Sequence, residues 1–203
     1  MLIDTHAHIA FDAYDEDRSE MMQRAYETGV HKILHPCCTL DEFAKLIQLT
    51  KDYDGNSKID LYTALGVHPC YIETWTPESK AFMEEQVEKH KDSKLKAIGE
   101  TGLDYFHCKE ADEQKKQREI FQDHIDIAKK FGNLSIIIGI AEKIDDNFFP
   151  NLYNSIALIE KGKWSVIARK NILPTYEVFD EKRYFRSGDK VSILEKNINK
   201  RVW

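Results

Sequence analysis

Short apolar runs alternate with longer amphipathic stretches over the first 140 residues of the chain. Runs of this length, rich in β-branched residues, predict β-strands at Leu2–Ile9, Val30–Pro36, Ile59–Gly66, Leu95–Gly99 and Leu134–Ile140. The stretches between them repeat apolar residues at the spacing of one helix face. Strands that alternate with helices in this way predict an α/β fold in which helices cover parallel strands.

The predicted helices also carry recognisable end signals. Thr39 and Glu42 have the spacing of a capping box, and Thr76 followed by Pro77 is a typical helix start. The stretch Glu113–Phe131 places its apolar residues on one face, which predicts the longest helix of the chain.

The alternation stops after residue 140. Tyr153–Ile159 and Trp164–Ala168 are apolar runs separated by a short polar turn, which predicts a hairpin of antiparallel strands. Val191–Leu194 is a further short strand candidate. We therefore predict two parts, residues 1–138 and residues 139–203, and expect the second part to be rich in β-hairpin.

Composition and charge narrow the class of protein. The 203 residues are 42% hydrophobic and 32% charged, as in soluble globular proteins. No apolar run approaches the roughly 20 residues that cross a membrane, and the N-terminus lacks signal-peptide features. A cytoplasmic protein without membrane contact is therefore expected. The four cysteines fit neither a disulfide framework nor a zinc knuckle, so reduced thiols are expected.

A candidate metal site begins at the end of the first predicted strand. His6 and His8 lie two residues apart, and such residues on an extended strand point to the same face. Imidazole suits zinc and other borderline divalent cations. The pair alone fits a metal site and two polar strand-end histidines about equally well.

Two further strand ends strengthen the metal interpretation. His68 follows the third predicted strand and Glu100 follows the fourth, so both would project toward the edge that carries His6 and His8. A carboxylate can bridge two cations, as in two-metal hydrolytic sites. The structural alternatives are a loop or helix-capping hydrogen bond for Glu100 and a turn contact for His68.

The motifs DTHAH, ALGVHP and AIGETGLDY, in this order, resemble the TatD family of metal-dependent deoxyribonucleases over residues 1–138. The resemblance implies a partial TIM-like (β/α) barrel of about five parallel strands, divalent cations (Mg, Zn or Mn) and hydrolysis of DNA phosphodiester bonds. It also implies that His6 and His8 are metal ligands and that Glu100 is a bridging ligand with a catalytic role. His68 would be catalytic and would face the substrate phosphate.

The later metal ligands implied by the resemblance have no counterpart. Gly139 stands where a histidine would close the fifth strand, and no histidine follows His124. His35, Cys37 and Cys38 close the second strand and can supplement the site. The alternative prediction is a non-catalytic truncated chimera with weak or no metal binding. An open barrel edge also predicts a homo-oligomer that covers it.

Residues 138–190 resemble the nitrilase-type glutamine amidohydrolase region of NAD synthetases. The motifs that carry this resemblance are YNSIALI, RKNILP and YEVFDEKRYF. By position, Lys170 matches the catalytic lysine of that family and Glu142 resembles its auxiliary glutamate. No cysteine follows Lys170, and a nitrilase needs a cysteine nucleophile there. Amide hydrolysis is therefore not expected, and a salt-bridged lysine is the favoured interpretation.

Overall fold

The computed structural model describes most of the chain, and it divides the chain into two compact units, Met1–Gly132 and Asn133–Trp203. The described residues are 1–90, 93–130, 136–160, 163–177 and 179–191. Among the helices within these ranges, none is both long enough and apolar enough to span a membrane.

The first unit is built from four β-strands and four α-helices in alternation. The strands are β1 (Leu2–Asp4), β2 (Val30–Pro36), β3 (Asp60–Leu65) and β4 (Leu95–Ile98). The helices are α1 (Arg18–Glu27), α2 (Phe43–Tyr53), α3 (Ser79–His90) and α4 (Ala111–Lys130). All neighbouring strands pair in parallel in the order β1-β2-β3-β4. The predicted α/β alternation with a parallel sheet is confirmed for this unit.

The apolar faces of the helices form the core over this sheet. One cluster of buried side chains joins α2, α3 and α4 to the ends of β2 and β3, and includes Cys37, Phe43, Leu46, Leu65, Met83 and Ile127. A second cluster packs α1 against the other ends of the same strands, and includes Met22, Ile33, Ile59 and Leu61. Burial of these faces fixes the carboxyl ends of the strands, from which the candidate site is built.

The predicted capping box at the start of α2 is wrong. The Thr39 side chain makes no capping hydrogen bond. A 3-10 turn at Leu40–Glu42 precedes the helix, and the Glu42 carboxylate accepts a hydrogen bond from the Cys38 amide at 2.8 Å. The tighter turn carries the carboxylate past Thr39 and onto the end of β2.

The second unit contains the strands β5 (Ile136–Lys143), β6 (Leu152–Glu160) and β7 (Lys163–Arg169). They form a three-stranded sheet in the order β5-β6-β7, and both pairings are antiparallel. The predicted hairpin is confirmed. From residue 192 onward, the predicted strand at Val191–Leu194 lies outside the described residues.

The prediction of a fifth parallel strand is wrong. The apolar run becomes β5, in which Gly139 lies opposite Ile156 of the antiparallel neighbour β6. The connection between β5 and β6 spans only residues 144–151, which accounts for their antiparallel pairing. A parallel return needs a crossover of about a dozen residues or more, whereas a short connection reverses the chain.

Strand β1 lies at one edge of the parallel sheet and β4 at the other. Leu2 and Ile3 on β1 are 58% and 54% exposed. The partial barrel and the homo-oligomer that would cover its edge stay predictions beyond these four strands.

Candidate metal centre

The segment that carries the two histidines follows β1 directly. Strand β1 ends at Asp4, so it is shorter than predicted. The Asp4 carboxylate accepts a hydrogen bond from the His6 amide at 3.0 Å. The amide of Ala7, between the histidines, donates to the Leu34 carbonyl of β2 at 3.2 Å. This bond holds the segment along β2, and the side chains of His6 and His8, on either side of Ala7, lie next to each other.

His6, His8 and Glu100 converge at the carboxyl ends of the first and fourth strands. The Nε2 atoms of the two histidines lie 3.2 Å apart. Glu100 Oε1 lies 2.9 Å from His6 Nε2, and Oε2 lies 3.6 Å from His8 Nε2. Ligand atoms about 2.0–2.2 Å from one cation are separated by roughly 3.3 Å, so the donor set fits a divalent cation.

The backbone around Glu100 is tied to β3 and to the segment that follows β2. The Glu100 amide donates to the Cys37 carbonyl at 3.2 Å, and the Gly99 amide donates to the Leu65 carbonyl at 2.9 Å. The Cys38 thiol donates to Glu100 Oε2 at 3.3 Å. Burial, followed by the Glu100 carboxylate, raises the pKa of Cys38 to about 12, so the thiol keeps its proton. Cys38 therefore orients the Glu100 carboxylate. The sequence predicted that Cys38 can supplement the metal site, but it did not specify this contact.

The other two residues named as possible supplements point away from the site. His35 and Cys37 are fully buried. His35 Nε2 lies 3.1 Å from Thr50 Oγ1, and burial raises the pKa of the Cys37 thiol to about 12. Neither belongs to the group of ligand atoms that meets at Glu100.

His68 is the N-cap residue of the 3-10 helix Pro69–Thr74 and lies three positions after the end of β3. Its Nδ1 accepts a hydrogen bond from the Cys70 amide at 3.1 Å, and its own amide donates to the Cys38 carbonyl at 2.9 Å. The turn contact considered as the structural alternative is therefore present. His68 lies outside the group formed by the three ligands, and its substrate role stays a prediction.

Two side chains of helix α4 bond the backbone on either side of His68, a role that the sequence did not predict for them. His124 and Gln117 are each only 1% exposed. His124 Nε2 accepts from the Val67 amide at 3.0 Å, and Gln117 Nε2 donates to the Pro69 carbonyl at 2.9 Å. The available signal was their spacing of seven residues, which puts both polar side chains on the buried face of the helix.

A second group of ligand-type side chains also went unrecognised. Cys70, Asp104 and His107 bring one donor atom each to within 4.8 Å of one another. Burial raises the pKa of the Asp104 carboxyl, but hydrogen bonds from His107 and Cys70 outweigh it and hold the value at about 2. Asp104 is therefore ionised at neutral pH.

A cleft of about 270 Å³ opens beside His8. Its lining residues are His8, Ala10, Phe11, Asp12, Pro36, Glu42, Lys45 and Leu46. The His8 and Phe11 rings stack with their centroids 4.8 Å apart, and Lys45 pairs with Asp12 at 2.6 Å. The cleft thus presents an aromatic ring, a Lys45–Asp12 ion pair and the Glu42 carboxylate next to the candidate ligands.

In the second unit, Lys170 and Glu142 make separate ion pairs. Lys170 Nζ lies 2.8 Å from Glu181, as the salt-bridged interpretation describes. Glu142 pairs with Arg169 at 2.6 Å and accepts from Ser155 Oγ at 2.7 Å. The match of these two residues to amidase positions stays a prediction.

We expect Gly66→Ala to disturb the metal centre through the backbone of Glu100. A Cβ at position 66 would lie 2.5 Å from the Glu100 carbonyl oxygen and 2.6 Å from the Gly99 carbonyl carbon. Backbone atoms cannot give way cheaply, so the expected loss of stability is about 1–3 kcal/mol, with weaker metal binding. Urea unfolding and metal content measure both effects.

Gly139→Ala is the matched control, because a Cβ there meets nothing within 4 Å. Its expected change in unfolding free energy is within about 0.5 kcal/mol. Equal effects of the two substitutions would contradict the proposed clash.

Part of the chain is similar to a different class of protein. It is 46% identical over 50 residues to the glutamine-dependent NAD(+) synthetase of Aquifex aeolicus, a match of 25% of this chain and 9% of that relative. A match this short supports the predicted resemblance but shows no membership of that family.

A longer match covers most of the chain. The curated relatives in this match include metal-dependent hydrolases and nucleases by name. The uncharacterized metal-dependent hydrolase YjjV of Escherichia coli is 31% identical over 136 residues, which are 67% of this chain and 49% of that relative. The 3'-5' ssDNA/RNA exonuclease TatD of Cronobacter sakazakii is 32% identical over 104 residues, 51% of this chain and 36% of the relative. The chain spans about half the length of the first curated relatives it matches.

The fold agrees with this relationship. The crystal structure of YjjV aligns with a TM-score of 0.56 at 31% identity, covering 64% of this chain and 47% of the other. The family described as TatD related DNase matches residues 3–143, which include His6, His8, His68 and Glu100. The chain therefore belongs to the TatD family of metal-dependent hydrolases.

Proposed function

We propose that this chain hydrolyses DNA phosphodiester bonds with a divalent cation held by His6, His8 and Glu100. The observation that carries the proposal is the convergence of these three side chains, with separations of 2.9, 3.2 and 3.6 Å between ligand atoms. The description of the matching family as TatD related DNase and the exonuclease name of one relative support DNA as the substrate.

A bound divalent cation (Mg, Zn or Mn) would lower the pKa of a water molecule toward neutrality and offset charge on the attacked phosphate. The residues of the chain prepare this chemistry. Glu100 supplies the negative charge of the ligand set, and the Cys38 thiol fixes the direction of its Oε2 atom. The two imidazoles would contribute neutral nitrogen ligands to such a cation, which would leave it most of its positive charge.

His68 is proposed to donate a hydrogen bond to the substrate phosphate. Its Nδ1 accepts from the Cys70 amide, so in the neutral ring the proton resides on Nε2. Val67 and Pro69, on either side, are held by the buried His124 and Gln117 of α4. The ring is thereby positioned with a donor available for a phosphate oxygen.

The cleft beside His8 is proposed to receive the nucleic acid. Phe11 is 49% exposed and offers a face on which a base can stack. Lys45 lines the same cleft in an ion pair with Asp12, so a backbone phosphate would have to displace that carboxylate to reach its positive charge. The bound cation would offset part of the negative charge of the chain, whose net charge is −6.

The test compares metal content and DNA hydrolysis in the intact chain and in a His6→Ala, His8→Ala double variant. We expect bound metal to fall by about one equivalent in the double variant, together with loss of hydrolysis. His31→Ala is the control, since His31 lies at the opposite end of β2 with Nδ1 2.8 Å from the Gly29 carbonyl oxygen. Equal metal content in all three proteins would reject the assigned ligands.

One observation favours a non-catalytic alternative. Among the described residues, the ligand group contains three members, and β5 carries glycine at position 139 in an antiparallel sheet. Metal that binds through His6 and His8 without any DNA hydrolysis in the intact chain would support this alternative.

A further inference from the structure

Cys70, Asp104 and His107 form a second group of metal-type ligands that shares no residue with the first. Cys70 lies on the 3-10 helix after β3, and the other two lie in the loop between β4 and α4. Asp104 Oδ2 lies 3.3 Å from Cys70 Sγ and 2.8 Å from His107 Nδ1. Cys70 Sγ and His107 Nδ1 are 3.7 Å apart.

We propose that these three side chains bind Zn²⁺. In a tetrahedral zinc site, bond lengths of about 2.0–2.3 Å separate sulfur, nitrogen and oxygen ligands by roughly 3.4–3.6 Å. The two separations that involve Cys70 Sγ, 3.3 and 3.7 Å, are close to this range. The distance between His107 Nδ1 and Asp104 Oδ2 must increase by roughly 0.6 Å for both atoms to bind one zinc ion. This increase replaces their direct hydrogen bond with two bonds to the metal.

The ligand chemistry selects the cation. A thiolate with an imidazole favours zinc over the hard cations Mg²⁺, Ca²⁺ and Mn²⁺, which prefer oxygen. Asp104 is already ionised at neutral pH because hydrogen bonds hold its pKa low. When the sulfur–zinc bond forms, the Cys70 thiol proton passes to the solvent. Water can complete the coordination, as it does at sites with three protein ligands.

The surrounding residues hold the group in place. Asp104 Oδ1 accepts from the amides of Phe106 and His107 at 3.0 and 2.9 Å, which leaves Oδ2 for Cys70 and the His107 ring. The buried Gln117 accepts from the Asp104 amide at 2.8 Å through Oε1 and donates to the Pro69 carbonyl at 2.9 Å through Nε2. Both loops are therefore tied to α4, as the supporting contacts of metal sites usually are.

The same geometry leaves the proposed zinc site open to solvent and lets a bound cation connect two loops. The His107 side chain is 63% exposed, so a cation can enter from the solvent. A cation held here would cross-link the turn after β3 to the loop after β4. Because that turn begins at His68, occupation of the site would stiffen the segment beside the proposed catalytic centre. The inference does not depend on DNA hydrolysis.

Cobalt titration of the metal-free full chain tests the proposal. Tetrahedral Co²⁺ with a thiolate ligand gives a sulfur-to-cobalt charge-transfer band in the near ultraviolet, whereas a site of histidines and a carboxylate gives none. We expect this band in the intact chain and in the His6→Ala, His8→Ala double variant, and its loss in Cys70→Ser. Cys38→Ser is the matched control and keeps the band, because Cys38 contacts Glu100 in the first group.

Three outcomes would overturn the proposal: no charge-transfer band in the intact chain, a band that survives in Cys70→Ser, or a band lost in Cys38→Ser. Far-ultraviolet circular dichroism checks that each variant folds. If Cys70→Ser misfolds, the exposed His107→Ala decides the matter. A fall in cobalt affinity of about tenfold or more supports the site, and an unchanged affinity rejects it.

Discussion

Glu100→Gln is expected to lower DNA hydrolysis by roughly 100-fold or more, because the ligand set loses its only negative charge. Glu100 directs Oε1 to His6 and Oε2 to His8, so one carboxylate completes the contacts of both histidines. The amide has the same shape but replaces one oxygen with an NH₂ donor that cannot bind a cation. Metal content and the rate of DNA hydrolysis measure the effect.

Glu42→Gln is the matched control for this substitution. Glu42 accepts a hydrogen bond from the Cys38 amide, and the thiol of the same Cys38 donates to Glu100. The glutamine oxygen can still accept that bond, and Glu42 lies outside the group of three ligands. We expect the metal content of Glu42→Gln to stay within about twofold of that of the intact chain. Metal content is the readout compared, because Glu42 lines the cleft proposed to receive the DNA. Equal losses in both variants, or full activity in Glu100→Gln, would contradict the assigned role.

The parallel part of the fold follows from the hydrophobic pattern. The prediction for β2 coincides with the observed Val30–Pro36, whose Val30 and Ile33 side chains belong to the cluster that packs against α1. The same pattern brings His6, His8 and Glu100 together, since residues that follow parallel strands share one edge of the sheet. Motif spacing was therefore sufficient to predict that these three side chains meet, while their role as metal ligands stays a prediction.

The direction of β5 was not available from its own residues. A run such as Ile136–Ile140 suits a parallel strand buried by helices and an antiparallel strand equally well. The decisive information was the short connection over residues 144–151, which turns the chain back into β6. The direction in which two strands pair depends on the length of the connection between them. An interpretation of each strand from its own residues leaves that length out.

Contacts between different loops were also beyond the reach of sequence patterns. Cys70 and Asp104 are separated by 34 positions, and they meet because Gln117 of α4 holds both loops. The packing angle and register of α4 decide this contact. Neither is encoded in the spacing of the residues themselves, although His107 three positions after Asp104 is a local signal.

The stability of the first unit is expected to fall by about 3 kcal/mol as the pH decreases from 6.5 to 4, owing to His35. Burial, followed by the charge of nearby His8, lowers the pKa of His35 to about 4 in the folded chain. Thr50 Oγ1 donates to the Leu46 carbonyl at 2.6 Å, so it accepts from His35 Nε2. Nδ1 is buried without a hydrogen-bond acceptor among the described residues, and a proton there would leave a charge without a partner.

The sign follows from proton binding. Between pH 6.5 and 4 the unfolded chain binds a proton at His35 and the folded chain does not, so acid favours unfolding. Above pH 6.5 the ring is neutral in both states and the contribution is fully present. His35→Gln keeps a donor for Thr50 but cannot titrate. Urea unfolding of both proteins, with a chelator present, should therefore give a difference in free energy that shrinks by about 3 kcal/mol over this range. A difference that stays constant with pH would contradict the assignment and would place the acid sensitivity of the fold elsewhere.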